Sequence, residues 1–560
     1  MNASLVWTLG LIVDSWFELQ VNRSTVLLLL ALALSAQLFA EHGPEHGLTE
    51  RDLGAVHFPT SCAPAVQNEF ERGVALLHSF AFETAEATFR QVAQHDPKCA
   101  MAHWGIARSF WRWGMPNAAI RENGWHEASI ANSLNPSTKR EREYIAAVAA
   151  LYQNPKDHDK NRWRRYLEGL ERLRRDYRND DEATAFYAYA LIDADKDDDP
   201  RHEKRRQAAA LLEPLFAKEP NHPGVAHYLI HAYDKPDLAS LGLPAARRYA
   251  LIAPAAPHAL HMPSHIFAQL GMWQEDIQSN LGSLAASRSP GISHMEDQGH
   301  EYHAMEFLMY AYLQCGREDE AKKLLDEVKS LPRVKSMYGD SSDPKIYALV
   351  SYSAAYALEL HRWTEAAELP LVPGTQFGDD TITYLGRAIG ATRAGDAALA
   401  RKNIAQIDSI YRQVVARKLP FAGWVKQEKE EAEAWADHAE GRNDEALRPL
   451  QAIANKQRTG TFGATGDLPA REMLADMLLE MNRPEDALVQ YRQALKINPN
   501  RFDSVYGAGR AAEMAKHPQE AATYFQRLVQ VCAGSRSTRP ELAYASRFLS
   551  EVATKQFNLK

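Results

Sequence analysis

Apolar side chains in this chain recur at the three-to-four-residue spacing of one helix face, and the spacing comes in blocks. In Pro469 to Asn500, PAREMLADMLLEMNRPEDALVQYRQALKINPN, the small and aromatic positions are Ala475, Ala487 and Tyr491; 34 residues later they are Gly509, Ala521 and Phe525. Near the other end Gly73, Ala85, Phe89 and Pro97 keep the same phase, and DPKCAMAHWGIA opens the next unit. Further copies surround Ala208, Ala321 and Ala446. Helix contact explains the pattern: a small residue lets two helices approach, a large apolar residue fills the gap, and Pro ends the second helix.

These units resemble the tetratricopeptide repeat family, two antiparallel helices per repeat. The resemblance implies an all-α, right-handed superhelical solenoid of roughly ten to twelve hairpins, with a concave face that binds a protein or peptide. Along the chain we expect N-terminal hairpins over 61–135, divergent ones over 136–300 and C-terminal hairpins over 301–560. Residues 136–181, rich in Arg and Asp, still read as amphipathic helix. LPLVPGTQFGDDT, starting at Leu369, reads as a loop through Thr383, and so does RTGTFGATGDLP, 458–469. The second is glycine-rich but has no following Gly-Lys-Ser/Thr, so it does not read as a phosphate loop.

Val26 to Leu34, VLLLLALAL, follows Arg23 and leads to small residues and Ala40. That is the pattern of a secretory signal, or of an N-terminal anchor if uncleaved. We therefore expect 1–40 to be a signal peptide or anchor, 41–60 a linker, and the rest exported to a periplasm or beyond. Export permits disulfides. Cys62 and Cys99 open equivalent helices one repeat apart, which allows either a bridge or two buried thiols; Cys315 and Cys532 read as core residues.

Composition narrows the partners. Of 560 residues 45% are hydrophobic and 24% charged, as in a packed soluble protein. Lys+Arg 64 against Asp+Glu 72 leaves a net charge of −8, so a basic nucleic-acid surface is not expected. No membrane segment is expected beyond the N-terminal one.

The candidate chemistry lies in histidines. His227 and His231 are four apart, His261 and His265 repeat that spacing 34 residues later, and equal repeat phase puts both pairs on equivalent faces of neighbouring helices. Asp234 lies one turn beyond His231; His303 and Glu306 approach from the next hairpin, with His258 and His300 nearby. Pro263 starts a helix between His261 and His265, which leaves His261 at its cap. Three readings stand side by side. The four paired histidines can hold a transition metal such as zinc or copper. They can instead be packed core residues, or contact a ligand without metal. Tyr228 occupies the glutamate position of a His-Glu-x-x-His peptidase motif, so that chemistry is not expected. The aromatic group Trp104, Phe110, Trp111, Trp113 and Trp125, with His103, reads as packing between repeats.

HYLIHAYD, APHALHMPSHIFAQLGMW and RGVALLHSFAFETAEATF also resemble a group of exported bacterial tetratricopeptide proteins across nearly the whole mature chain. That resemblance implies fold and export and transfers no catalytic residue. The reading at this stage is an exported scaffold binding a protein, peptide or small ligand on its concave face at His227, His231, Asp234, His261, His265, His303 and Glu306. The alternative is a metal-binding protein using His227, His231, His261 and His265, with Glu306 or Asp234 as bases should it activate water. No Gly-x-Ser-x-Gly elbow or other nucleophile arrangement argues for an enzyme.

Overall fold

The first hairpin and one near the C-terminus each close around one glycine and one ring. In the computed structural model, which describes residues 49–558 apart from 112–117, 155–158, 196–198, 290–298, 333–342 and 458–462, a Cβ on Gly73 would lie 2.7 Å from Phe89 Cε1 and one on Gly509 2.6 Å from Phe525 Cε1. Only glycine lets Gln67–His78 lie against Phe82–His95, and Phe502–Met514 against Pro518–Val531, at that separation. Helices follow one another as antiparallel pairs, each packed on its sequence neighbours, and the described residues contain no strand. The fold is an all-α solenoid of helical hairpins.

In several hairpins the turn uses a left-handed residue to end the first helix. Gly271, Gly316 and Gly441 supply it, as do Asn482 and Lys516. In the first hairpin the equivalent position is Phe80, with φ 57°.

Several expectations change. Residues 49–60 are no linker: Glu50–Leu53 is helical, Leu53 and Phe58 are buried, and the Phe58 ring lies 5.4 Å from Phe70 and 5.5 Å from Trp104. Residue 300 falls inside the helix Gly299–Gln314, and residues 49–560 make one unit. The loop from Leu369 stops at Asp379, because Asp380–Arg393 is helical. The signal or anchor expected over 1–40 lies outside the described residues, as do Trp113 and part of the loop over 458–469. Cys62 and Cys99 form a disulfide, and Cys315 and Cys532 are buried thiols. Trp104 and Trp111 are buried, whereas Trp125 is exposed. Among the described residues no helix is long and apolar enough to cross a membrane.

The stack also makes contacts between repeats far apart in sequence. Trp273 Nε1 donates to the Asn500 carbonyl at 2.9 Å, and Asn500 Nδ2 donates to the Gly271 carbonyl at 3.0 Å. Next to this contact Arg501 is wholly buried. Its guanidinium meets Glu359 at 2.8 Å and Glu472 at 2.7 Å and donates to Tyr310 Oη at 2.8 Å. Gln314 completes the junction by donating to Glu359 (3.0 Å) and accepting from the Phe502 N–H (2.9 Å). Four separate helices are locked by one cation.

Removing that cation leaves two carboxylates buried without it. Arg501→Met is expected to lower stability by about 3–5 kcal/mol in equilibrium urea unfolding. Combining it with Glu359→Gln and Glu472→Gln should recover most of the loss; a loss under about 1 kcal/mol for the single variant would refute this role.

Candidate functional site

The histidines of the central repeats converge in one buried chamber. His227 and His231 lie on Pro223–Tyr233, His258 and His261 on Pro257–His261, His265 on Pro263–Gln269, and His300 and His303 on Gly299–Gln314. Pro263 opens its helix at N1, and a separate short helix ends at His261. The two members of the second His-x-x-x-His pair therefore sit on two helices.

Burial sets the charge state of these rings. His227, His231, His258, His261 and His300 are all buried, with at most 6% exposure. Desolvation drives His227 and His300 down to about 3, and His231, His258 and His261 well below the ordinary imidazole range. All five are neutral at pH 7. His265 and His303 stand at the more open edge, with 11% and 23% of their side chains exposed.

Partners behind the rings fix which nitrogen carries the proton. His227 Nδ1 donates to the His78 carbonyl at 2.6 Å. Burial opposes charge on Asp234, but His265 and Gln269 outweigh it and keep it ionised, so His265 Nδ1 donates to it at 2.8 Å. Asn280 turns its amide nitrogen to the Asp276 carbonyl (3.0 Å) and side chain (2.6 Å), which aims its oxygen at His261 Nδ1, 2.6 Å away. His303 Nδ1 lies 3.4 Å from Glu306. Asp234 and Glu306 thus stand behind imidazoles and orient them, rather than serving as free bases.

With Nδ1 protonated, the Nε2 of neutral His227 and His261 is a lone pair. His261 Nε2 faces His265 Nε2 at 3.1 Å, and His258 Nε2 faces His227 Nε2 at 3.0 Å. Two bare lone pairs at this distance repel, so each approach holds either a proton or a metal ion between its two nitrogens. Two nitrogens each about 2.0–2.1 Å from a tetrahedral zinc are about 3.3 Å apart, close to the spacing seen. The structure groups His227, His231 and His258 in one cluster, and His261, His265 and His303 in another, with ligand atoms of each within 4.8 Å of one another.

The chamber is roofed by the first hairpin. Phe80 lies 5.1 Å from His258 and 5.8 Å from His231, both near-parallel, and 4.4 Å from His227 edge-on. A left-handed backbone at a non-glycine residue costs about 1–3 kcal/mol and persists only where its surroundings hold it. Here the turn also offers backbone atoms: the His78 carbonyl holds His227, and Phe80 hydrogen-bonds His300 through its main chain. The His78 ring meets Glu182 at 2.8 Å and Tyr228 Oη at 2.9 Å, and His222 meets the other Glu182 oxygen at 2.9 Å. Burial disfavours charge on Glu182, yet His78 and His222 hold its carboxyl far below the usual range. Each ring nitrogen facing Glu182 has a carboxylate oxygen, so this group reads as a hydrogen-bonded support.

Sequence reasoning placed seven of these residues near one face. It did not find the roles of His78, Phe80, Asn280 and Gln269, or the division into two clusters. One signal was available: Phe80 occupies the repeat position held by Asn482 and Lys516, where the turn demands a left-handed residue.

A family model described as tetratricopeptide repeat matches residues 472–536. The two hairpins from Ala470–Glu480 to Pro518–Val531 are tetratricopeptide repeats. No curated protein matches the chain. Solved structures similar to it include a tetratricopeptide repeat protein from Parabacteroides merdae ATCC 43184 (13% identity, 52% of this chain and 97% of that chain, TM-score 0.28). Others are the human IFIT1 dimer with m7Gppp-AAAA (12%, 78% and 90%, TM-score 0.36) and the APC/C hetero-tetramer Cut9-Hcn1 (12%, 75% and 84%, TM-score 0.32). Likenesses this distant carry no functional argument.

Neutral buried histidines make stability pH-dependent in a definite direction. Their folded pKa values lie below the unfolded one, so below about 6.5 the unfolded chain binds protons that the folded chain refuses. In chelator, stability should hold from pH 8 to 7 and fall below about 6.5, by about 1.4 kcal/mol per pH unit for each such histidine. A urea midpoint unchanged from pH 7 to 5 would contradict this.

Proposed function

We propose that the protein is a helical-repeat scaffold that binds a transition-metal ion in its histidine chamber. The observation that supports this is the 3.1 Å approach of His261 Nε2 to His265 Nε2, with both Nδ1 protons committed to Asn280 and Asp234. A proton shared by the pair would satisfy two nitrogens; the third imidazole, His303, favours a metal ion. All-imidazole donors suit zinc, copper, nickel or iron. Burial keeps a protein or peptide off these rings and admits an ion or a small molecule. The same reading takes the chain to be exported, on the apolar run Val26 to Leu34 and the Cys62–Cys99 disulfide.

A second reading, a protein or peptide partner, is favoured by a different place. A cleft of about 130 Å³ crosses the C-terminal repeats, lined by Trp363, Arg393, Trp435, Asp476, Tyr506 and Arg510. Aromatic faces beside both charge signs suit one or two side chains of an extended peptide. It overlaps the segment matched as tetratricopeptide repeat.

Elemental analysis tests the metal reading. Metal-stripped full-length protein incubated with zinc or copper and desalted should retain at least one equivalent. His261→Ala with His265→Ala should lower that amount, and Asp234→Asn, which removes the charge behind His265, should weaken affinity about 10–100-fold. Less than a tenth of an equivalent in the unaltered protein would reject the reading.

A further inference from the structure

The chamber contains more imidazoles than one ion can use, and they are already sorted. His227 and His258 meet through Nε2, with His231 as the third ring at 4.7 Å from His227. His261 and His265 meet through Nε2, with His303 as the third ring at 4.6 Å from His261. Across the two groups the rings stand farther apart: 6.1 Å between His231 and His265, and 6.1 Å between His258 and His261. No single centre lies within metal-bond distance of all six, because each group closes on its own nitrogen pair.

The groups are nonetheless neighbours. His258 and His261 are three apart on one short helix, so adjacent positions on one helical face send one ring into each group. We propose that the chamber is a two-ion centre, with His227, His231 and His258 holding one ion and His261, His265 and His303 the other. This rests on the metal reading above and adds its stoichiometry and geometry. Paired ions in proteins commonly stand about 3.5–4 Å apart and share a small ligand. The donors here are six imidazole rings. The nearest carboxylates, Asp234 and Glu306, sit behind His265 and His303 and give no negative charge in direct contact with either ion. Two cations held side by side by imidazole nitrogens attract an anion between them, so the exogenous ligand is a small oxygen anion such as hydroxide. The second group, at the edge where His303 and Glu306 are partly exposed, is the side from which ions and this ligand arrive.

The test uses the full-length protein loaded with Cu(II) as probe. Two equivalents should remain after desalting, and the electron paramagnetic resonance signal should integrate to well under two spins, because adjacent Cu(II) ions couple. His231→Ala and His303→Ala, each with unchanged helix content, should retain one equivalent with the signal of an isolated ion. One equivalent in the unaltered protein, or two equivalents with two full uncoupled spins, would overturn the two-ion centre and leave metal binding standing. No bound ion would remove both. Should either variant fail to fold, the count and spin integral of the unaltered protein decide alone.

Discussion

A polar group taken out of water has to find its partner inside the protein, and in this chain the partner regularly comes from a distant repeat. Arg501 is neutralised by Glu359 and Glu472, Glu182 is hydrogen-bonded by His78 and His222, and His227 by the carbonyl of His78, 149 residues earlier. Apolar packing between successive hairpins tolerates small slides. These pairings do not, because a displaced member would leave an uncompensated charge or an orphaned N–H. The pairings of His78 hold the first hairpin against the central repeats, where it covers the chamber.

The scaffold was legible because its determinants are local. A glycine facing a ring sixteen residues later, as Gly73 faces Phe89, is repeated often enough to be read from one sequence. Phase arithmetic also put His227, His231, His261 and His265 on related faces. What it could not show depends on the return of the chain. His258 lies outside the phase of the pairs yet completes one cluster. Residues 50–58, with no repeat signal, belong to the core through Leu53 and Phe58. The two carboxylates expected as bases are tied to His265 and His303 by contacts that no spacing rule describes.

The chamber combines two properties that seldom coexist. Its rings are aimed at each other through Nε2, which suits cations. Its surroundings supply little negative charge directly, which keeps bound cations electrophilic toward an anion arriving at the open edge. Proton positions are imposed by groups that can only accept, the His78 carbonyl and the Asp234 carboxylate, so the lone pairs stay presented without any ligand to organise them.

The turn at His78 and Phe80 has a bearing on how such a sequence can change over time. Ser79, Phe80 and Ala81 span the gap between two helices with Phe80 already in a left-handed backbone, while the main chains of Phe80 and of His78 just before them hold two rings of the chamber. An insertion or deletion there would shift the chamber roof along with the connection. The tip of the first hairpin therefore tolerates a change of side chain better than a change in its number of residues.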